Sequence, residues 1–514
     1  MMRTKEQARG SLSVFFAMIL PLMFSLCFSM LEVTRICGLN QNSQELTRQM
    51  LENAFSEYQP TLWKDYKILA LDMGYASGQA KTDNISERML ELGSWYGIKG
   101  DNTSYDGDQS FVGEFMLLVP ELCQVTSYGL LTDQNGAPLI RQGADVARGS
   151  IGEQLLEKWV KDTQEAKETQ ERSPGMDDLV EQGKQALQEA KKQAQEQEQS
   201  GDGVQSVPAQ GELLEMEDNP FDLFEEWKEK GLLSLLVSSE TELASGYLDI
   251  GATVSGRNRM QGTRQDITNV GLVDKVLFGQ YILDTFSRFS GQQAQEEEKS
   301  HTLRYETEYV IGKKASDREN LEAVAARILL LREAQNIAAI YADPVKIGQA
   351  KQAAVSLAAF TANPVVIEVV QVAVIAVWAF VESVLDVRLL LTGGTVPIIK
   401  DQTQWTSDLT HLGQYVSVEK KAKDSGQGMT YTDYLRVFLA LEPVKTLGLR
   451  ACDVMEQKIR GTEGYENVCM DHMVYEMEVT CSYQAQPLFF HFVWPLGQKL
   501  PSYSFTKEGA MSYL

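Results

Sequence analysis

The chain has few of the residues from which enzymes usually build metal and nucleophile sites. It contains only four histidines and six cysteines in 514 residues. No histidine stands in the H-E-x-x-H spacing of zinc proteases, and no G-x-S-x-G, P-loop or strand-linked G-x-G-x-x-G motif occurs. Because the sequence shows no catalytic constellation, we predict neither enzymatic activity nor a bound cofactor or metal.

Basic residues are also scarce relative to acidic ones. Lysine and arginine number 47 against 71 acidic residues, which gives a formal net charge of −24. A surface of this sign repels nucleic acid, so we expect no nucleic-acid partner. High solubility explains the acidity without specific recognition of a cationic ligand, and we favour that interpretation.

Two groups of polar residues have alternative chemical interpretations. Cys469, Asp471 and His472 are the densest set of potential metal ligands, but no second paired motif supports zinc. Glu368, Glu382 and Asp386 fall on one stripe of a predicted helix and could act as an acid and base pair. A solvated helix face is the simpler interpretation of that stripe, and we adopt it.

The cysteines are odd in number once Cys27, inside an apolar run, is set aside. Cys469 and Cys481 are near each other in sequence, and we predict a disulfide between them, although spacing alone does not prove one. Buried, unrelated thiols are the alternative. Cys37, just beyond the apolar run, could join two chains.

The apolar run is the most informative feature that the sequence does contain. Residues 11–31 carry no charge, and Arg3, Lys5 and Arg9 precede them. Twenty-one helical residues span about 30 Å, the thickness of a bilayer's hydrocarbon core. A cleaved signal or a lipoprotein signal fits less well, because the run is long and Cys27 follows a leucine. We therefore predict one transmembrane helix in the lipid bilayer.

The basic flank predicts the orientation of this helix. Positive residues stay on the cytoplasmic side, so residues 1–10 should form a cytoplasmic leader and the bulk of the chain should be extracytoplasmic. Ile36, Leu39, Leu46, Met50 and Ala54 continue a helical pattern beyond residue 31. A membrane helix that runs into an amphipathic helix is typical of a pilin stalk. An ordinary anchor followed by a domain's first helix has the same pattern.

These residues carry a resemblance to a known family. The segment RGSLSVFFAMILPLMFSLCFSMLEVTR resembles the N-terminus of the TadE/TadG-like pseudopilins of tight-adherence (Tad) pilus loci. Further segments, among them residues 219–237 and 429–441, resemble a large uncharacterised Gram-positive branch of envelope proteins associated with such loci. The resemblance covers most of the chain outside its low-complexity middle.

The resemblance implies a processing site and partners. A prepilin peptidase would cleave after Gly10 and leave Ser11 as the new N-terminus, although Phe15 stands where the family usually has glutamate. Other pilin-like or Tad apparatus subunits would be the partners. Glu32 and Arg35, at the end of the span, are candidate assembly contacts, with a location among lipid headgroups as the alternative for Glu32.

The remaining patterns predict an α+β fold in which an antiparallel sheet accompanies a helical core. Residues 32–160 should form the stalk helix and a first α+β part, residues 161–211 a low-complexity, Gln-rich acidic insertion that is solvated or disordered, and residues 212–514 the main domain. Strands are predicted at 66–71, 115–127 and 303–311. A hairpin is predicted from 473–483 and 488–494.

A helical core is predicted within residues 316–394. Ser316 with Glu319 forms a capping box, and Asn363-Pro364 begins another helix. The last helix of this core, which begins at Asn363-Pro364, contains an uncharged run of only 13 residues, 369–381. This run is too short to cross a bilayer. We therefore predict a soluble three-helix core rather than a membrane hairpin.

Together these patterns predict a non-enzymatic, membrane-anchored extracytoplasmic component of a Tad-type pilus or secretion apparatus. The alternative is an anchored extracellular binding or sensor domain that is not incorporated into a pilus. An exported hydrolase would need a catalytic constellation that the sequence does not display.

Overall fold

The computed structural model describes residues 3–96, 116, 118–172, 175–199, 214–264, 269–290, 303–361, 363–490 and 501–514. Among the described residues, the fold combines many helices with a small antiparallel sheet, and most of these residues are helical. The chain divides into two units. Unit 1 comprises Met1–Gln134, Asn258–Thr268 and Lys458–Leu514, and unit 2 comprises Asn135–Arg257 and Asn269–Gln457. Neither unit is a single stretch of sequence.

In the part of unit 1 that the structure describes, helices α1 (Arg3–Ser56) and α2 (Thr82–Tyr96) accompany a four-stranded antiparallel sheet. The strands of this sheet are β1 (Leu71–Asp72), β2 (Val119–Leu130), β3 (Met473–Ala485) and β4 (Tyr503–Ser512). Strand β3 is central, because β1, β2 and β4 all pair with it antiparallel. A π-helical turn, Leu62–Tyr66, follows α1.

The second half of α1 packs against this sheet. Its buried apolar residues recur every three or four positions, as expected for one helix face: Leu39, Leu46, Met50, Leu51, Ala54 and Phe55. The Thr47 hydroxyl lies 2.6 Å from the phenol oxygen of Tyr483 on β3. In β4, Lys507 donates to Asn40 across 2.7 Å. The sheet therefore fixes α1 along much of its length beyond residue 31.

Unit 2 is predominantly helical. Its helices are α3 (Asp133–Arg148, beginning at the unit boundary), α4 (Glu153–Arg172), α5 (Met176–Gln199), α6 (Pro220–Glu229), α7 (Leu232–Leu236), α8 (Leu272–Thr285), α9 (Glu306–Gly312), α10 (Asp317–Ala342), α11 (Pro344–Ala358), α12 (Pro364–Leu391), α13 (Tyr431–Leu441) and α14 (Val444–Arg460, ending in unit 1). Helices α5, α10 and α11 all pack on α12.

The predicted helix caps are confirmed. Ser316 and Glu319 form both bonds of the capping box at the start of α10. The Asn363 side chain accepts from the Val365 N–H at 3.0 Å and caps α12. Gly393, with φ of +90°, ends α12 in a conformation that favours glycine. Local signals of this kind need no information from distant residues.

Three strand predictions are corrected. Residues 303–311 do not form a strand, because Glu306–Gly312 is the helix α9, in which both the apolar residues and Glu308 are buried. The strand predicted at 66–71 is only the two-residue β1, preceded by the π-helical turn. The hairpin partner of β3 is β4, while residues 488–490 are not extended and 491–494 lie outside the described residues.

The Gln-rich segment is also more ordered than predicted. Residues 161–172 and 176–199 belong to α4 and α5, and each helix has a buried stripe. The stripes consist mainly of small or flexible side chains: Thr163, Ala166, Met176, Val180, Leu187 and Ala190. Because a face of this kind packs closely with only a few large apolar residues, composition alone indicated a solvated insertion. Residues 200–211 lie outside the described residues.

Candidate functional site at the end of the first helix

The first half of α1 is a candidate membrane span. From Leu12 onward the helix meets the length and hydropathy requirements for crossing a bilayer, and none of its most apolar window is buried within the protein. Large apolar side chains such as Phe15, Met18 and Leu22 are more than half exposed. The backbone of Gly10 and Ser11 lies within the same helix. This surface is apolar along a full bilayer thickness.

Two charged residues end the exposed apolar stretch, and both are buried. Glu32 is 0% and Arg35 is 3% exposed, and their side chains pair at 3.0 Å. They occupy the first two positions of the same helix face that packs on the sheet further along α1. Burial of this pair is compensated only if its remaining hydrogen-bonding groups are also satisfied.

The remaining hydrogen-bonding groups of Glu32 and Arg35 bind the backbone of the chain that follows β3. The Glu32 carboxylate accepts from the N–H of Phe489 at 2.8 Å and from the N–H of Leu488 at 3.3 Å. Arg35 donates to the carbonyl of Gln486 at 2.9 Å. We call Glu32, Arg35 and the backbone of residues 486–489 the exit cluster. Burial, followed by the nearby Glu32 charge, raises the pKa of Tyr503, where β4 begins, to about 12.

The exit cluster changes the interpretation of Glu32 and Arg35. As candidate assembly contacts they would need to offer charge to a neighbouring subunit. In the structure both side chains are buried and engaged within their own chain. The sequence did not indicate residues 486–489 as their partners, because the pairing joins positions more than 450 residues apart. The aromatic run after residue 487 was the available signal, and we interpreted it as a strand.

An aromatic contact extends the exit cluster toward the apolar half of α1. The rings of Phe28 and Phe489 stack with centroids 6.0 Å apart, and Phe24 stacks on Phe28 at 6.2 Å. Phe28 lies three residues before the end of the uncharged run. The chain after β3 therefore contacts α1 within the candidate span and not only beyond it.

The predicted disulfide between Cys469 and Cys481 is wrong. Cys481 on β3 is bonded to Cys123 on β2, and the two residues face each other in the strand register. Cys469, at the turn before β3, takes no part in a disulfide. Proximity in sequence suggested the local pair, whereas antiparallel pairing brought together two cysteines separated by 358 positions. Cys27 and Cys37 are free and exposed on α1.

The potential metal ligands around Cys469 do come together. Ligand atoms of Cys469, Asp471 and His472 lie within 4.8 Å of one another. However, the Arg460 guanidinium donates to the Cys469 sulfur at 3.1 Å, and the Met260 N–H donates to Asp471 at 3.0 Å. A bound cation would lie beside the arginine charge. Internal partners therefore account for this cluster better than a metal does.

The carboxylate stripe on α12 does not face water as we predicted. Glu382 and Asp386 are fully buried, and only Glu368 of the three acids is exposed. Asp386 accepts from Arg332 at 2.9 Å, and Lys400 pairs with both Asp386 and Glu382. We call these four residues the core charge cluster. Helical periodicity placed the acids on one stripe correctly, but it could not identify Arg332 and Lys400 as the groups that cover them.

Helix α12 passes the same length and hydropathy test as α1 but differs in its surroundings. Over its most apolar window, 56% is buried inside unit 2, and the core charge cluster lies on its second half. Asn336 of α10 donates to Asp386 at 3.0 Å and to Ser383 at 2.9 Å. Buried charges with protein partners on neighbouring helices are what a packed core helix requires.

Comparison with known proteins identifies the family but not an activity. The chain belongs to DUF5702, a family of unknown function, whose model matches residues 210–485, more than half of the chain. The match includes the core charge cluster and β3, while α1 lies outside it. No curated protein and no solved structure matches the chain.

Proposed function

We propose that this chain is a non-enzymatic, membrane-anchored extracytoplasmic protein that crosses the membrane once through residues 11–31. The observation that carries the proposal is the continuity of α1, a single helix of 54 residues. Its first half is apolar and exposed, and its second half packs into the sheet of unit 1. A helix of this length extends about 80 Å, enough to cross a bilayer and still hold a folded body beyond it.

The proposed orientation places the N-terminus in the cytoplasm and the folded units outside. Arg3, Lys5 and Arg9 before the span favour this orientation. The disulfide between Cys123 and Cys481 supports it independently, because disulfides persist in oxidising compartments outside the cytoplasm. Internal partners of the core charge cluster and of Cys469 support a structural role over a catalytic one.

We further propose that the protein is a pseudopilin-like or accessory subunit of a Tad-type pilus or secretion apparatus. This assignment rests on the resemblance of residues 9–35 to TadE/TadG-like N-termini. Lateral packing with other pilin-like helices would use the exposed apolar face of residues 12–31, since Glu32 and Arg35 are already engaged within the chain.

The N-terminal sequence of the mature protein tests the Tad assignment. Membrane fractions should be compared from cells with and without the prepilin peptidase. We expect Ser11 at the N-terminus only when the peptidase is present. An intact leader in both strains would contradict processing and would leave a permanently anchored protein outside the pilus pathway.

A groove in unit 2 favours a second candidate function, an anchored binding or sensor domain. The groove has a volume of about 540 Å³ and lies between α4 and α10. Apolar side chains such as Leu331 and Ile399 line it, and Asp162 and Glu165 contribute polar groups. Sites for small molecules commonly have this size and character. An apolar fluorescent dye should bind there and lose binding in Ala334→Trp, whereas unchanged binding would argue against this candidate.

A further inference from the structure

We propose that the chain just after β3 makes a second membrane contact, in which residues 488–490 touch the lipid bilayer beside α1. The inference rests on the proposed function, because it requires α1 to be the span. It adds a lipid-binding surface more than 450 residues away in sequence from the anchor. The relevant residues all belong to unit 1.

Depth along α1 is the first argument. Phe28 lies three residues, or about 4.5 Å, inside the end of the uncharged run. Phe489 stacks on Phe28 with the ring planes 12° apart. If residues 11–31 occupy the hydrocarbon core, the Phe489 ring lies beside the helix near the boundary between hydrocarbon and headgroups.

The hydrogen bonding of the backbone is the second argument. A chain that enters a region without water must satisfy its N–H and C=O groups within the protein. At this point Glu32 accepts from the N–H groups of Leu488 and Phe489, and Arg35 donates to the carbonyl of Gln486. The exit cluster therefore removes the main cost of bringing this backbone to the membrane surface.

Composition is the third argument. Residues 487–494 read PLFFHFVW and contain no acidic or basic residue other than His491. Leu488, Phe489 and Phe490 are only half-buried, although a soluble protein gains by covering such side chains. At the edge of the hydrocarbon core these side chains would contact acyl chains, while the N–H groups of Leu488 and Phe489 stay bonded to Glu32.

Photo-crosslinking from single positions tests this contact in the full chain. Benzoylphenylalanine would replace Phe490, Phe24 within the span, or Trp63, an exposed aromatic residue beyond the far end of α1. Each protein would be reconstituted in phosphatidylcholine and phosphatidylglycerol vesicles, irradiated and analysed by mass spectrometry. Resistance of the buried Cys123–Cys481 bond to added reductant would confirm that unit 1 has folded.

We expect lipid adducts at positions 24 and 490 in similar yield and none at position 63. An adduct at 24 without one at 490 would overturn the second contact and leave the anchor intact. No adduct at 24 would overturn the anchor itself, whatever is seen at 490. An adduct that joins position 490 to a second protein chain, or an equal lipid adduct at 63, would also overturn the inference, and the interchain adduct would assign the surface to contact between two copies.

Discussion

Four side chains of the core charge cluster show how individual residues stabilise the helical core of unit 2. Arg332 and Lys400 are opposed by Glu382 and Asp386, and all four side chains are at most 1% exposed. The Glu382 carboxylate also accepts from the N–H groups of Thr406 and Ser407 at 3.1 and 2.8 Å. Removal of one cation would leave a buried negative charge without compensation.

Lys400→Met tests this arrangement. We expect it to lower the free energy of unfolding by about 3–5 kcal/mol, the usual cost of breaking a buried ion pair from one side. Lys161→Met is a matched control, because Lys161 pairs with Glu165 at 3.5 Å on an exposed surface. The control should change stability by less than about 1 kcal/mol. Equal effects in urea denaturation would contradict the buried cluster.

Glu333 on α10 predicts a dependence of stability on pH. Burial, followed by the Asp177 charge, raises the pKa of Glu333 from 4.5 to about 8. The folded state then binds a proton more tightly than the unfolded state. The stabilising contribution of protonated Glu333 is complete below pH 4.5 and is lost as the pH rises through about 8.

Glu333→Gln should therefore flatten the fall in melting temperature over this pH range and raise the melting temperature at alkaline pH. Burial also raises the pKa of Glu308, to about 7, so the difference between wild type and variant is the informative quantity. Glu368→Gln, at an exposed position of α12, should leave the pH profile unchanged. A Glu333→Gln profile parallel to wild type would contradict the raised pKa.

The hydrogen bonds of Glu32 in the exit cluster can be tested by substitution. Glu32→Ala removes the acceptor of the Leu488 and Phe489 N–H groups and leaves Arg35 buried without its partner carboxylate. Unsatisfied buried groups cost about 1–3 kcal/mol each, so we expect faster amide exchange at residues 486 and 488–490. Glu45→Ala, from an exposed pair with Arg48, is the control. Unchanged exchange at 488 and 489 would contradict the assigned bonds.

At the scale of elements, predictions succeeded where the signal was local. Capping residues such as Ser316 and Asn363 act within one helical turn, and the structure confirms both. Residues 303–311 alternate between apolar and polar types, as a strand would. The alternation was misleading because Glu308 is buried and accepts from the Tyr431 hydroxyl at 2.8 Å, a contact that only the tertiary fold supplies.

Helix α5 is packed in the structure, whereas its composition indicated a solvated helix, and one substitution distinguishes the two. Glycine in a solvated helix is about 1 kcal/mol worse than alanine, so Gly183→Ala would stabilise a solvated α5. In the structure, however, a Cβ at Gly183 would lie 2.3 Å from the Cβ of Ala373 on α12. We expect Gly183→Ala to destabilise unit 2 by about 1–3 kcal/mol through overpacking.

Gly348 on α11 is the matched control for this substitution. A Cβ there would meet nothing within 4 Å, so Gly348→Ala should stabilise the protein by up to about 1 kcal/mol. Opposite signs for the two variants in thermal unfolding would support the packed α5. Stabilisation by Gly183→Ala would mean that α5 is solvated, as the composition indicated.

At the scale of the whole molecule, the sequence predicted the fold class and the apolar helix but not the division into units. Mixed helices, an antiparallel sheet and a helical core follow from periodicity and caps. Unit 1 combines three separate stretches of chain, which pair β2 and β4 with β3. Long-range strand pairing leaves no local signal, and the disulfide between Cys123 and Cys481 was missed for the same reason.

The membrane anchor and its orientation can be tested most directly by the accessibility of Cys37 from outside the cell. Cys37 is a free, exposed thiol six residues beyond the uncharged run, and Cys27 is a free thiol within it. Intact cells would be treated with a membrane-impermeant maleimide, and labelled peptides would be identified by mass spectrometry. Cys37→Ser would serve as the control for assignment of the label.

We expect Cys37 to be labelled from outside intact cells, Cys27 to be protected, and the chain to be recovered with the membranes. Labelling of Cys37 only after the membrane is opened would contradict the orientation. Labelling of Cys27 in protein recovered from a soluble fraction would contradict the anchor itself.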